Sequence, residues 1–106
     1  MRTVGVTEDG RQVVGGLFTA HDEQGLSLSL SLMFLQQAGH VPDLAGFVND
    51  ALDAGWSFKA TVARVREAVI DVSGKAQWLE IEPRLEQVFE LRCLKQFNQT
   101  PSDKEP

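Results

Sequence analysis

The chain of 106 residues has a single cysteine, Cys93, so it cannot form an internal disulfide. Stability must therefore come from packing, and 42% hydrophobic residues supply enough material for one core. One unpaired cysteine is typical of a reducing compartment, so we predict a cytoplasmic protein. We expect Cys93 itself on the apolar side of the last helix, as a buried structural residue.

Long apolar runs and an excess of cations are also missing. No run approaches the roughly 20 apolar residues that a membrane-spanning helix needs, and the first ten residues, MRTVGVTEDG, lack the apolar region of a secretory signal. Ten cations against 15 anions give a net charge of −5. This balance disfavours nonspecific binding to nucleic acid or to anionic membranes, while leaving room for a local basic patch.

Catalytic signatures are a third absence. The sequence contains no Walker-type phosphate loop, no Gly-x-Gly-x-x-Gly after a strand and no Gly-x-Ser-x-Gly turn. The serines of LSLSLSL, residues 26–32, have no histidine at a spacing that indicates a general base. We therefore predict a protein that is not an enzyme and uses no cofactor.

Only two histidines are available as metal ligands. His21 precedes Asp22 and Glu23, and His40 lies three residues before Asp43. A metal ion needs three or four converging ligands. Because we place the two histidines at opposite ends of one helix, roughly 18 Å apart, we predict no metal site and interpret both segments as solvated loops.

Residues 26–32 leave two interpretations open. Leucine and serine alternate strictly, as in a strand, but leucines also recur at i, i+4 and i+7, as on a helix face. Gly39 followed by Pro42 is typical of a helix end, and leucine forms strands less readily than valine. We predict a helix over 27–38, apolar on several sides and deeply buried.

The remaining pattern predicts a hairpin and further helices. The β-rich runs TVGVT (3–7) and RQVVGGLF (11–18) flank an Asp-Gly pair that suits a tight turn, and a polar connection follows over 19–24. Asp43 and Ser57 are suited to cap two amphipathic helices. These helices should end at glycines: Gly55 and Gly74.

The pattern is weaker after Gly74. Residues 75–82, KAQWLEIE, fit a short helix or an extended segment, and Pro83 suits the first turn of a last helix. Polar residues and two prolines predict a disordered tail over 98–106. The sequence thus predicts one α+β, mainly helical domain over 1–97, in which an N-terminal β-hairpin is followed by about four α-helices packed around one core.

Apolar helical surface exceeds what a few short helices bury easily, and this surplus carries the leading hypothesis. We predict a small interaction domain that self-associates as a homodimer, or binds another protein, through an apolar helical surface. Its candidate residues are Trp56, Phe58 and Trp78. Three glutamates four residues apart form a like-charge column that a cation or a partner would relieve: Glu82, Glu86 and Glu90.

The segment ALDAGWSFKATVARVREA, residues 51–68, supports a second hypothesis. Its turn resembles the helix-turn-helix of DNA-binding regulators at four positions: Ala51, Gly55, Trp56 and Ser57. The residues that match the second helix of the motif come one position too late after Gly55. This shift rotates the reading face of that helix by about 100°. The resemblance implies nucleic-acid contacts by Lys59, Arg64 and Arg66. The alternative is a solvated helix face on which Arg64 pairs with Glu67.

A third hypothesis concerns a small-molecule pocket. The hairpin and the helices would enclose it, and three large side chains would line it: Phe18, Phe34 and Trp78. A ligand that binds only the folded state would raise the unfolding midpoint.

Overall fold

The chain begins with a β-hairpin in the computed structural model, which describes the backbone of residues 1–104 and the side chains of residues 1–95. Strand β1 (Arg2–Val6) pairs antiparallel with β2 (Gln12–Gly15), as predicted. The Thr7 amide donates to the Arg11 carbonyl at 2.8 Å across the turn. The pKa of the exposed Asp9 carboxyl is lowered most by a hydrogen bond from the Thr7 hydroxyl, and next by one from Arg11.

A short helix follows the hairpin at once, where the sequence predicted a polar connection. Gly16 has a φ of 78°, which glycine adopts without strain, and it turns the chain from β2 into α1 (Leu17–Asp22). The prediction for 19–24 is wrong because Leu17, Phe18 and Ala20 are buried in the core. Tertiary burial stabilises a helix too short to persist alone.

The alternating leucine and serine stretch forms a helix. Helix α2 (Leu28–Gln37) begins where the Ser27 hydroxyl accepts a hydrogen bond from the Leu30 amide at 3.1 Å. The leucines at i, i+4 and i+7 are buried, which confirms the helical interpretation of 27–38. Burial is confined to one side, however, because Met33 and Phe34 are exposed.

Three elements continue the chain. Strand β3 (Val41–Pro42) pairs parallel with β2, so the sheet order is β1-β2-β3. The sequence did not predict this strand, because two residues are too few to show a periodic pattern. Helix α3 (Leu44–Asp53) begins at the cap Asp43, and helix α4 (Phe58–Ser73) begins at the cap Ser57. Both caps and both helices confirm the sequence prediction.

One helix, α5 (Lys75–Lys104), stands in place of the two segments predicted after Gly74. Pro83 lies inside it and not in a first turn, and its missing N–H removes one intrahelical hydrogen bond. Trp78 and Leu85 are buried on either side of the proline, so packing holds both halves in one helix. Helix α5 runs into the segment 98–106, for which the sequence predicts a disordered tail; the side chains of that segment fall outside the described residues, and the disorder stays a prediction.

Cys93 is exposed, so the prediction of a buried cysteine is wrong. Cys93 lies at the margin of the inner side of α5. In one continuous helix Trp78, Leu85 and Arg92 share the inner side, and Cys93 lies about 100° further around the axis.

The core lies where the helices and β2 meet. Helix α2 packs on α4, α4 on α5, and α3 contacts α1, α4, α5 and β2. The largest fully buried side chains of the core include Phe47, Leu17, Val48 and Val65. The fold is α+β and mainly helical with an N-terminal hairpin, as predicted, and five helices are found within residues 1–104, the additional one being α1.

Candidate functional site

An aromatic cluster lies where α1 meets the turn between α3 and α4. Phe18, Phe47 and Trp56 pack edge to face, with ring centroids 5.3 to 6.4 Å apart. The His21 ring adds a fourth member, 6.2 Å from the Trp56 ring. Edge-to-face pairs contribute about 0.5–1.5 kcal/mol each beyond their buried area. The half-buried Trp56 indole thus covers the core at this end of the molecule.

Arg64 of α4 closes this cluster from outside. Its Nη1 lies 2.6 Å from His21 Nε2, and its guanidinium carbon lies 5.4 Å from the Trp56 ring centroid. His21 Nδ1 lies 3.0 Å from the Leu26 carbonyl oxygen, which can only accept. Nδ1 therefore carries the proton and Nε2 accepts from Arg64, so a neutral imidazole joins α4 to the chain ahead of α2.

We expect Arg64→Ala to lower the free energy of unfolding by about 1 kcal/mol, because it removes one exposed cation–π contact and one hydrogen bond. Urea denaturation followed by tryptophan fluorescence measures the loss. Arg66→Ala is the matched control, since Arg66 is exposed on the same helix and contacts neither ring. Equal losses in the two variants would contradict a stabilising role for the Arg64 contacts.

The three cations of the nucleic-acid hypothesis do not share one face of α4. Lys59 and Arg66 lie about 20° apart around the helix axis, whereas Arg64 lies about 140° from Lys59. Arg64 contacts His21 and makes no ion pair with Glu67, so the predicted pairing is also wrong. The turn between α3 and α4 is present, but it does not gather a basic surface from these residues. Nucleic-acid binding stays a prediction with little geometric support.

The two histidines lie in different parts of the structure and have different neighbours. His21 is held by Leu26 and Arg64, whereas His40 lies in the connection from α2 to β3. Within the part of the chain that the structure describes, no group of three or more His, Cys, Asp or Glu side chains is arranged to hold a metal ion.

The residues predicted for an interaction surface lie in different environments. Trp56 and Phe58 are half-buried, and Phe58 stacks on Phe89 of α5 with ring centroids 4.2 Å apart. Trp78 is 3% exposed and belongs to the core. Trp78 therefore has almost no exposed area for a partner to contact.

The residues predicted to line a small-molecule pocket are also separated. Phe18 and Trp78 are buried in the core, whereas Phe34 is half exposed on the outer side of α2. A groove does lie between the sheet and the helices, but it is lined by other side chains. It combines side chains from the hairpin turn, β3 and four helices, so no local stretch of sequence indicates it.

Three exposed leucines on α5 are the surface feature that the sequence interpretation missed. Leu79, Leu91 and Leu94 are 57%, 57% and 56% exposed. They lie within an arc of about 120° on the side of α5 away from the core, and we call them the outer leucine face. Their spacing becomes visible only when 75–95 is treated as one helix, because the predicted break at Pro83 separates Leu79 from the other two.

The described chain therefore offers two candidate surfaces, the outer leucine face and the groove beside the sheet.

Among residues 1–104, no helix combines the length and the apolar character needed to cross a membrane. Comparisons of the chain with protein-family models, with curated proteins and with solved structures found no match.

Proposed function

We propose that this protein is a small non-catalytic interaction domain that self-associates through the outer leucine face of α5. The observation that carries the proposal is that its three leucines, Leu79, Leu91 and Leu94, are each more than half exposed. Burial of a fully exposed leucine side chain contributes about 1.5–3 kcal/mol, so covering the exposed half of each of these leucines contributes roughly half as much. A second copy would supply that burial, in a reducing compartment such as the cytoplasm, as the single Cys93 suggests.

The length of α5 supports pairing between two copies. It has 30 residues, whereas its main neighbour α4 has 16. At 1.5 Å per residue these lengths are about 45 and 24 Å, so α4 covers only part of α5. A long helix whose outer side carries exposed leucines is suited to pack against the same helix of another molecule.

An antiparallel arrangement brings the leucines of two copies together. A two-fold axis between residues 86 and 87 places Leu79 of one copy opposite Leu94 of the other, and a two-fold interface makes this contact twice. Leu79 and Leu94 are about 22 Å apart along the axis and about 60° apart around it. Leu91 lies a further 60° around, at the margin of the same face.

The glutamate column sets how tight this association is. Glu82, Glu86 and Glu90 have no cation within 4.0 Å among the described side chains. Glu86 and Glu90 border the line from Leu79 to Leu94, so the proposed pairing brings like charges of two copies together. Because salt screens exposed charges over about 8–10 Å at 0.1–0.15 M, association should tighten as ionic strength rises.

Sedimentation equilibrium from 5 to 500 μM protein, at low and moderate NaCl, tests the proposal. We expect wild type to dimerise more tightly at higher salt. The double variant Leu79→Glu, Leu94→Glu should associate at least tenfold more weakly, because both copies of the contact between Leu79 and Leu94 are removed. Phe34→Glu is the matched control: it places a charge on another exposed apolar position, on α2, and should leave association unchanged.

Circular dichroism checks that each variant keeps its helix content. A wild-type protein that stays monomeric at 500 μM under both salt conditions would refute self-association. Dimerisation of the double variant with wild-type affinity would refute the assignment of the face. Association that is abolished by Phe34→Glu would transfer the interface to α2.

A further inference from the structure

A groove of about 620 Å³ lies where β3 and the hairpin turn meet α2, α3, α4 and α5. Its volume falls in the range of roughly 300–1,000 Å³ that is typical of small-molecule sites. We call it the sheet-side groove. Its floor is apolar, with side chains from α2, β3, α3 and α5 that include Leu32, Val41, Leu44, Ile81, Leu85 and Val88.

The rim of the sheet-side groove carries two guanidinium groups. Arg84 of α5 has no carboxylate within 4.0 Å among the described side chains, and Arg11 has its Nε 3.0 Å from Asp9. The one carboxylate on the rim, Asp43, accepts a hydrogen bond from the Gly46 amide at 3.0 Å. Among the described lining residues, Arg84 is thus the arginine without a carboxylate partner, on a protein whose net charge is −5.

We propose that the sheet-side groove binds a small amphipathic carboxylate, such as a medium-chain alkanoate. Its carboxylate pairs with Arg84, since the planar guanidinium matches a carboxylate in a bidentate arrangement. Its alkyl chain covers Ile81 and Val88 and the leucines beneath them. Arg11 of the hairpin turn also lines the groove, but it is paired with Asp9, so Arg84 is the main cation for the ligand.

This site is independent of the proposed self-association. Leu79 lies about 140–180° around α5 from the three groove residues of this helix, Ile81, Arg84 and Val88, and Leu94 lies about 80–140° from them. A ligand in the groove therefore leaves Leu79 and Leu94 uncovered. The monomeric double variant Leu79→Glu, Leu94→Glu should bind the carboxylate with wild-type affinity, so failure of one proposal is distinguishable from failure of the other.

Titration calorimetry with decanoate, kept below its micelle concentration, tests the proposal. We expect saturable binding to the folded protein at one site. Decyltrimethylammonium, which has the same chain and the opposite charge, should bind at least tenfold more weakly. Arg84→Gln should weaken decanoate binding about tenfold or more, because a charge-assisted hydrogen bond is lost. Arg66→Gln, an exposed arginine on α4 outside this groove, should bind like wild type.

Amide chemical shifts locate the ligand independently of affinity. Decanoate should perturb the amides of Val41, Ile81 and Val88 more than those of Leu79 and Leu94. Absence of binding at 1 mM decanoate, equal binding of the two charged probes, or wild-type affinity in Arg84→Gln would each overturn the proposal. Perturbations confined to the outer leucine face would overturn the assignment of the groove.

Discussion

Replacing Phe47 with alanine should lower the free energy of unfolding by about 3–5 kcal/mol, the cost typical of a large aromatic side chain deleted from a core. Phe47 is 1% exposed on α3, and its ring packs edge to face with the rings of Phe18 and Trp56 at 5.6 and 6.4 Å. The alanine variant loses buried area and both aromatic contacts at once. Because a domain of this size has a total stability of only about 5–15 kcal/mol, the thermal midpoint should fall by at least about 12 °C.

Urea denaturation followed by circular dichroism measures this loss. Phe34→Ala is the matched control, because it makes the same substitution at a half-exposed position on α2; surface changes of this kind cost about 0.5 kcal/mol. Phe47→Leu retains much of the side-chain volume and should lose less than Phe47→Ala, which keeps the comparison measurable if the alanine variant does not fold. Equal losses in Phe47→Ala and Phe34→Ala would contradict the assignment of the core.

The elements that the sequence predicts correctly are those with local chemical signals. Asp43 and Ser57 each accept a hydrogen bond from an amide three residues on, which is the interaction that makes these residue types good caps. Gly39, with a φ of 77°, follows the end of α2 as a glycine after a helix commonly does. A cap and a glycine act within one turn of helix, so the sequence alone locates these boundaries.

The elements that it predicts wrongly are those decided by burial. Helix α1 forms because Leu17 and Phe18 enter the core, although the residues after them are polar. Helix α5 continues through Pro83 because Trp78 and Leu85 pack in the core on either side. Cys93 is a second error that burial decides: it lies about 80° around the helix from the buried Leu85, at the margin of the apolar side, and is exposed.

The candidate sites have no local signal of their own. His21 and Arg64 are 43 residues apart and meet only when α1 and α4 fold together. Sequence spacing favoured Glu67 as the partner of Arg64 because nearest neighbours on one helix are the only pairs that a sequence displays. The sheet-side groove is assembled in the same way, with Arg11 and Arg84 contributed by opposite ends of the chain.

A substitution in the leucine and serine stretch should raise the free energy of unfolding, in contrast to Phe47→Ala. Ser31 is 0% exposed on the buried side of α2, which packs against α4, and its Oγ has no hydrogen-bond partner among the described residues. A buried hydroxyl without a partner costs about 1–3 kcal/mol. Ser31→Ala removes this group and keeps a small side chain at the contact with α4, so we expect the free energy of unfolding to rise by about 1–2 kcal/mol.

Ser29→Ala separates the buried hydroxyl from helix propensity. Both substitutions exchange serine for alanine within α2, where alanine is favoured by roughly 0.5 kcal/mol, but Ser29 is only half-buried. The stability gained by Ser31→Ala beyond that of Ser29→Ala therefore measures the cost of the unpartnered Oγ. A loss of stability in Ser31→Ala would contradict the assignment of Ser31 Oγ as a buried group without a hydrogen-bond partner.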